Sequence, residues 1–348
     1  MSLKLGLLYA YRNPAWNRRP WPQVYREELE LTCYAEELGF DNVWMSEHHF
    51  VDDGYMSCPL TIAAAVAART KKIRIGTYII LMPMHDPLRI AEQAATVDLI
   101  SDGRLDLGLG LGYRPEEFTG VGLTRRERGA RMAEGSVLIQ RLLNERKVNH
   151  EGKYYRVNDV GVTPPPAQQP CPIWVGARAD AAIDRAAKHG FHLAGIGPRE
   201  HSDKYYEALV KYGRDPKDHH VGQIVTCFVG PTTAQAWDRC AEGLHHMLSC
   251  YLDWAIESGD VAAEPNWTHE SPIPSPAEMR RKQSVDFFGE PSIIGSPEEV
   301  YQRLCEHQEK NPCTHLAIYM NYPGTPQGYT RESMELFASE IAPRLRKR

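Results

Sequence analysis

The strongest constraint on this chain is a beat repeated eight times: a short apolar run, then a stretch of helical period. Lys4–Tyr9 is the first run. Pro22–Leu38 follows, with Val24, Leu31, Tyr34, Ala35 and Leu38 on one helical face. Further strands are predicted at Asn42–Ser46, Ile73–Met82, Arg104–Gly110, Pro172–Gly176, His192–Ile196, Val221–Val229 and His315–Met320. Helices are predicted over Pro59–Arg69, Asp86–Ile100, Glu127–Leu143, Asp180–His189, Arg199–Tyr212, Thr232–Ile256 and Arg331–Arg344. Asp86 suits an N-cap, and Pro87 the first helical position, where its missing N–H costs nothing. Ile73–Met82 is apolar along nearly its whole length, which suits a parallel strand covered on both faces. Strands alternating with helices pair in parallel. Eight of them favour an α/β (β/α)8 TIM barrel over an open doubly wound sheet.

Three segments break the beat. Lys147–Gln169 reads as a small hairpin and a Pro-rich loop. Ser258–Phe288 is a long polar, Pro-rich insertion, and Gly324–Tyr329 is rich in turn residues. Insertions after strands would cover the barrel's C-terminal face. Residues 258–288 are therefore a candidate lid, with a plain surface insertion as the alternative. No boundary divides the chain, so residues 1–348 read as a single barrel domain despite a length that would allow two.

Composition narrows the class of protein. A formal net charge of −5 argues against nucleic acid and membrane surfaces as partners. No apolar run approaches the roughly 20 residues that span a bilayer, and the first residues lack a signal peptide's pattern. The eight cysteines are scattered without a C-x-x-C pair and read as mostly reduced core residues. A cytoplasmic enzyme is the expectation.

Four clusters could carry chemistry. Ser46-Glu47-His48-His49-Phe50 follows strand 2, on the face where a barrel's catalytic groups collect. A histidine there can move protons near neutral pH. No metal site is expected: there is no H-E-x-x-H, and neighbouring histidines in an extended segment point to opposite faces. Gly108-Leu109-Gly110-Leu111-Gly112-Tyr113 resembles a dinucleotide fingerprint but has Tyr113 where a glycine is required, and Arg114-Pro115-Glu116-Glu117 intervenes before any helix. Its glycines fit either close approach of a flat ring or phosphate, or tight packing. Trp174-Val175-Gly176-Ala177-Arg178-Ala179 leads into a helix whose N-terminus could seat a phosphate, with Arg178 adding charge. The apolar Thr77–Pro83 run fits a cofactor face or simple core. His219-His220 and His245-His246 lack a third ligand at a metal spacing.

In order, these clusters resemble the bacterial luciferase-like family of flavin-dependent oxidoreductases. Glu47-His48-His49-Phe50, Arg74-Ile75-Gly76-Thr77, Asp102-Gly103-Arg104, the glycine run ending in Tyr113, Pro172–Ala177 and Ile294–Val300 carry the likeness nearly end to end. The resemblance implies a barrel binding reduced FMN at the C-terminal ends of its strands. It implies a monooxygenase that uses O2, a small or medium organic substrate and reduced flavin from a separate reductase. His48 is the implied catalytic residue, stabilising the flavin's oxygen adduct or acting as general acid/base, and Glu47 orients groups beside it. A backbone kink beneath the flavin maps to Tyr78 and Ile79. Gly112 and Tyr113 map to a phosphate-side contact, and Gly176, Ala177, Arg178 and Ala179 to the phosphate seat. Trp44, Phe50 and Tyr113 are expected to shape the pocket. The chain departs from luciferase at Leu111, Ala179 and Ala182, so phosphate binding leans on backbone N–H groups. The same likeness admits a deazaflavin-dependent dehydrogenase or reductase, or a non-catalytic flavin-binding protein. It also makes a homodimer the assembly to test.

Overall fold

The computed structural model describes residues 3–195, 197–259, 272–287 and 289–348. Eight parallel strands close into a barrel: β1 Lys4–Tyr9, β2 Asn42–Met45, β3 Arg74–Thr77, β4 Leu105–Gly110, β5 Ile173–Gly176, β6 His192–Gly195, β7 Val221–Val229 and β8 His315–Tyr319. Each pairs with the next, and β8 returns to β1 with Lys4 opposite His315 and Leu8 opposite Tyr319. The strands are almost wholly buried, as strands covered by helices outside and side chains inside must be.

Packing inside the barrel explains several small residues. Trp44 from β2 meets Trp174 from β5 edge to face, ring centres 5.5 Å apart. A Cβ at Gly76 would lie 2.2 Å from the Trp44 ring and one at Gly6 2.6 Å from its Nε1, so the flanking strands leave space for the indole. At the N-terminal mouth His192, His220 and His315 surround Trp174 with ring centres 4.9, 5.9 and 4.9 Å from its own.

Local chemistry accounts for most element ends. Asp86 caps the helix Pro87–Ser101 by accepting from Arg89 N, and Gly190 ends Asp180–His189 in the left-handed conformation. The third strand is shorter than the apolar run. β3 stops at Thr77, the Tyr78–Ile79 peptide is cis, and Ile80–Leu81 resumes pairing with β4. The expected gap after the glycine run is a short helix, Pro115–Gly120, with Arg114 at its N-cap. The closing helix starts earlier, at Gln327, and widens into a π-helical segment at Phe337–Ile341. Val148–Glu151 and Arg156–Val160 form the expected hairpin. Of the insertion expected at residues 258–288, residues 260–271 and 288 lie outside the described residues. Its described part includes the helix Pro276–Lys282, capped by a reciprocal Ser275–Glu278 pair. No helix among the described residues is long and apolar enough to cross a membrane.

Candidate active site

The C-terminal end of β2 delivers His48 into the centre of the upper face, where it is 5% exposed. Its Nδ1 lies 2.8 Å from Glu117 Oε1. The same oxygen accepts from His49 N at 2.9 Å, and Arg114 Nη1 stands 3.5 Å away. Glu117 Oε1 already accepts from His49 N and faces Arg114, so it serves as the acceptor for His48 Nδ1–H, and Nε2 is the nitrogen left for chemistry. Glu117, fully buried, comes from the short helix that was not expected, and sequence reading missed it. The only signal was Arg114-Pro115-Glu116-Glu117 itself, since proline followed by acids suits a helix start.

Glu47, expected to orient groups beside His48, has a separate set of partners. Successive residues of an extended segment face opposite ways, and its carboxylate turns away from His48. Oε1 lies 2.9 Å from His49 Nε2 and 2.8 Å from His85 Nε2, while Oε2 accepts from Leu81 N. Burial alone would raise its pKa, but hydrogen bonds and charge from His49 and His85 bring it down to about 2. The Glu47 carboxylate is thus fixed among partners of its own. It ties the histidine loop to the backbone just beyond Tyr78 and Ile79.

The Tyr78–Ile79 bend explains the glycines of β4. A Cβ at Gly108 would sit 1.9 Å from Thr77 O, and one at Gly110 1.6 Å from Ile79 Cδ1. Of the two readings left open by the sequence, packing accounts for these two glycines. Tyr78 points into the barrel and donates to Gly195 O at 2.9 Å. Half-buried Ile79 reaches across the ends of β4 and β5, where a Cβ at Gly176 would lie 2.9 Å from its Cδ1.

Beside Ile79 runs a groove of about 270 Å³, lined by Leu111, Met132, Val175, Gly176, Ala177, Ala179, Ala182 and Arg185, among others. Ala179 is the N-cap of the helix Asp180–His189 and offers no side chain to its N–H groups. That leaves donors for an anion, as the fit to a flavin phosphate requires. Arg178 is exposed and outside the lining; Arg185, two turns further on, is the cation that lines the groove. Buried Gly112, at φ +70°, and Tyr113 are also outside this lining. Tyr113 packs edge-on against His48 instead, ring centres 5.6 Å apart, with its hydroxyl lacking a hydrogen-bond partner among the described residues.

Aromatic rings enclose His48. Tyr55 and Trp254 lie 4.7 Å away and Tyr251 6.2 Å, centre to centre. Tyr251 and Trp254 belong to the helix Thr233–Ser258 that follows β7. Two buried arginines bracket Trp254, with Arg114 4.5 Å and Arg12 5.8 Å from its ring centre. Of the expected pocket residues, Trp44 lies in the barrel interior beneath Tyr78, while Phe50 is 59% exposed on the outside.

This arrangement, a carboxylate-held histidine above a bent strand end and beside an anion-ready groove, can be compared with known proteins. The model of the luciferase-like monooxygenase family matches residues 3–311. The chain belongs to that family. Its relatives include the alkanal monooxygenase alpha chain of Photorhabdus luminescens, 25% identical over 99% of this chain and 98% of the relative. The oxygenase component of the flavin-dependent trigonelline monooxygenase of Acinetobacter baylyi is 29% identical over 58% of this chain and 57% of its own. An F420-dependent glucose-6-phosphate dehydrogenase of Amycolatopsis mediterranei is 32% identical over 57% and 62%. Among solved structures, the monooxygenase RslO1 of Streptomyces bottropensis superposes with a TM-score of 0.83 at 26% identity, covering 98% of this chain and 99% of that one. The oxygenating constituent of 3,6-diketocamphane monooxygenase of Pseudomonas putida, in complex with FMN, reaches 0.77 at 18% identity, covering 99% of each. The chain is therefore a luciferase-like oxidoreductase with both flavin-dependent and F420-dependent relatives.

Proposed function

We propose that this chain is the oxygenase component of a two-component flavin monooxygenase. It takes reduced FMN from a separate reductase, uses O2, and oxidises a small or medium organic substrate in the cytoplasm. The whole chain would act as one barrel domain, with a homodimer as its expected assembly. The observation that carries the reading is His48: buried at a strand's C-terminal end, fixed through Nδ1 by Glu117, and ringed by aromatics. Likeness to an alkanal monooxygenase supports oxygen chemistry and likeness to a flavin-dependent trigonelline monooxygenase supports a flavin, while the F420-dependent relatives make the deazaflavin the alternative to test.

Reduced flavin, when bound, supplies the electrons that activate oxygen. The groove from Leu111 to Arg185 would hold it, with Ile79 beside the ring and the free N–H groups after Ala179 toward the phosphate. His48 Nε2 exchanges the proton at the reacting centre, and Glu117 stabilises the imidazolium that results. Tyr55, Tyr251 and Trp254 keep bulk water from that nitrogen. The segment Asp52–Cys58, which supplies Tyr55, helps select the substrate.

Anaerobic titration of the protein with reduced FMN and, separately, with the reduced deazaflavin tests the assignment. Saturable binding of reduced FMN is expected. Tight binding of the deazaflavin alone would replace the monooxygenase with a hydride-transferring dehydrogenase.

A further inference from the structure

A second cluster of ligating side chains lies one aromatic ring away from His48. Asp53 is 3% exposed and faces His246 and Cys250 of the helix Thr233–Ser258. His246 and Cys250 are four residues apart, so they share one helix face. His246 Nε2 stands 2.9 Å from Asp53 Oδ2, and Cys250 Sγ 3.8 Å from that nitrogen. One ligand atom from each residue lies within 4.8 Å of the other two. Arg12 Nε donates to the same Oδ2 at 2.7 Å, whereas the buried Oδ1 of Asp53 has no hydrogen-bond partner among the described residues.

We propose that Asp53, His246 and Cys250 form a binding site for a divalent cation of the zinc class, with a fourth position open to water. The donors are one carboxylate oxygen, one imidazole and one thiolate, the set that a borderline-soft ion selects. A tetrahedral zinc ion with ordinary bond lengths separates its sulfur and nitrogen ligands by roughly 3.5 Å and its nitrogen and oxygen ligands by roughly 3.3 Å. The Cys250–His246 spacing already lies close to the first value. A metal replaces the Nε2 proton that now joins His246 to Asp53 Oδ2, and the carboxylate presents its unmatched Oδ1 to the ion instead. Binding releases that proton and the thiol proton of Cys250. Oδ1 is the natural oxygen ligand, because Arg12 keeps Oδ2.

The other candidate cluster, Glu47 with His49 and His85, lacks this feature. Both of its carboxylate oxygens are already engaged, Oε1 by the two imidazoles and Oε2 by Leu81 N. In the Asp53 cluster an oxygen stands unmatched, and the two histidine–cysteine ligands are half-buried, so an ion can enter from solvent. An ion there would pin the helix carrying Tyr251 and Trp254 to the segment carrying Asp53 and Tyr55. The rings around His48 would then be held in place from one side.

The test uses Co2+ as a spectroscopic probe on the full chain. A thiolate–cobalt charge-transfer band should rise to saturation at one equivalent, and Zn2+ should displace it. Cys250→Ser should abolish the band, and His246→Gln should weaken Co2+ binding by roughly 100-fold. Cys58→Ser, at the exposed cysteine, and His85→Gln should leave it unchanged. Melting curves without metal establish that each variant is folded. No saturable band in the folded wild-type protein, or a band that survives in folded Cys250→Ser, would overturn the proposal.

Discussion

Replacing His48 with Ala should lower substrate-coupled turnover by about 10²- to 10⁴-fold, the usual contribution of a positioned general acid/base. Far-ultraviolet circular dichroism should change little, since the ring packs on side chains at the upper face and not in the barrel interior. Glu117→Gln is the informative companion. Its amide can still meet His48, but the ring loses the negative charge that stabilises its protonated form and fixes its tautomer. A loss of about 10- to 100-fold in kcat with KM nearly constant is expected, together with a shifted pH profile. Turnover unchanged by His48→Ala would remove the residue from the chemistry. Binding of reduced flavin without turnover of any substrate in the wild-type protein would favour mere storage of the cofactor.

The second large effect concerns stability in acid. Burial, chiefly, and the neighbouring His220 hold His192 down to about 3 and His315 down to about 4 at the N-terminal mouth. Asp106 works the other way on both; His219 also faces His192, and Asp41 and Lys4 face His315. Both rings therefore stay neutral in the fold while the unfolded chain takes up protons below about pH 6.5. The unfolded state binds more protons across this window, so stability falls as pH falls from about 6.5 to 4.5. At about 1.4 kcal/mol per unit and group, the two rings cost about 5 kcal/mol over that range. Glu28 opposes them. Burial, only partly countered by Asn321 and Arg19, pushes its pKa up to about 7, so the fold takes up its proton first and gains about 3 kcal/mol. A net loss of about 2 kcal/mol remains. Urea unfolding at pH 6.5 and 4.5 measures it, and His192→Gln should remove most of the loss. An acid dependence identical in that variant would show that the ring is not held neutral.

The barrel was legible in the sequence because each strand is a short apolar run bounded by turn residues, and those signals are local. Asp86-Pro87 and Gly190 marked helix ends for the same reason. The third strand misled because Tyr78, Ile79, Ile80 and Leu81 continue its apolar pattern, while the interruption at Tyr78–Ile79 fits against glycines of another strand, Gly108 and Gly110. The site was half legible. His48 stood out by type and position. Glu117, 69 residues away, is joined to it only through tertiary structure, as are Tyr251 and Trp254. Arg178 drew attention by adjacency to the small-residue turn, yet Arg185 lines the groove, because helical periodicity and not sequence proximity decides which side chain faces it.

The most direct measurement is a crystal structure of the protein soaked with FMN. The ring should lie between the Tyr78–Ile79 backbone and His48, with the phosphate at the groove from Gly176 to Arg185. A ring bound away from His48, or a phosphate seated elsewhere with that groove empty, would contradict the assignment of this face as the flavin site.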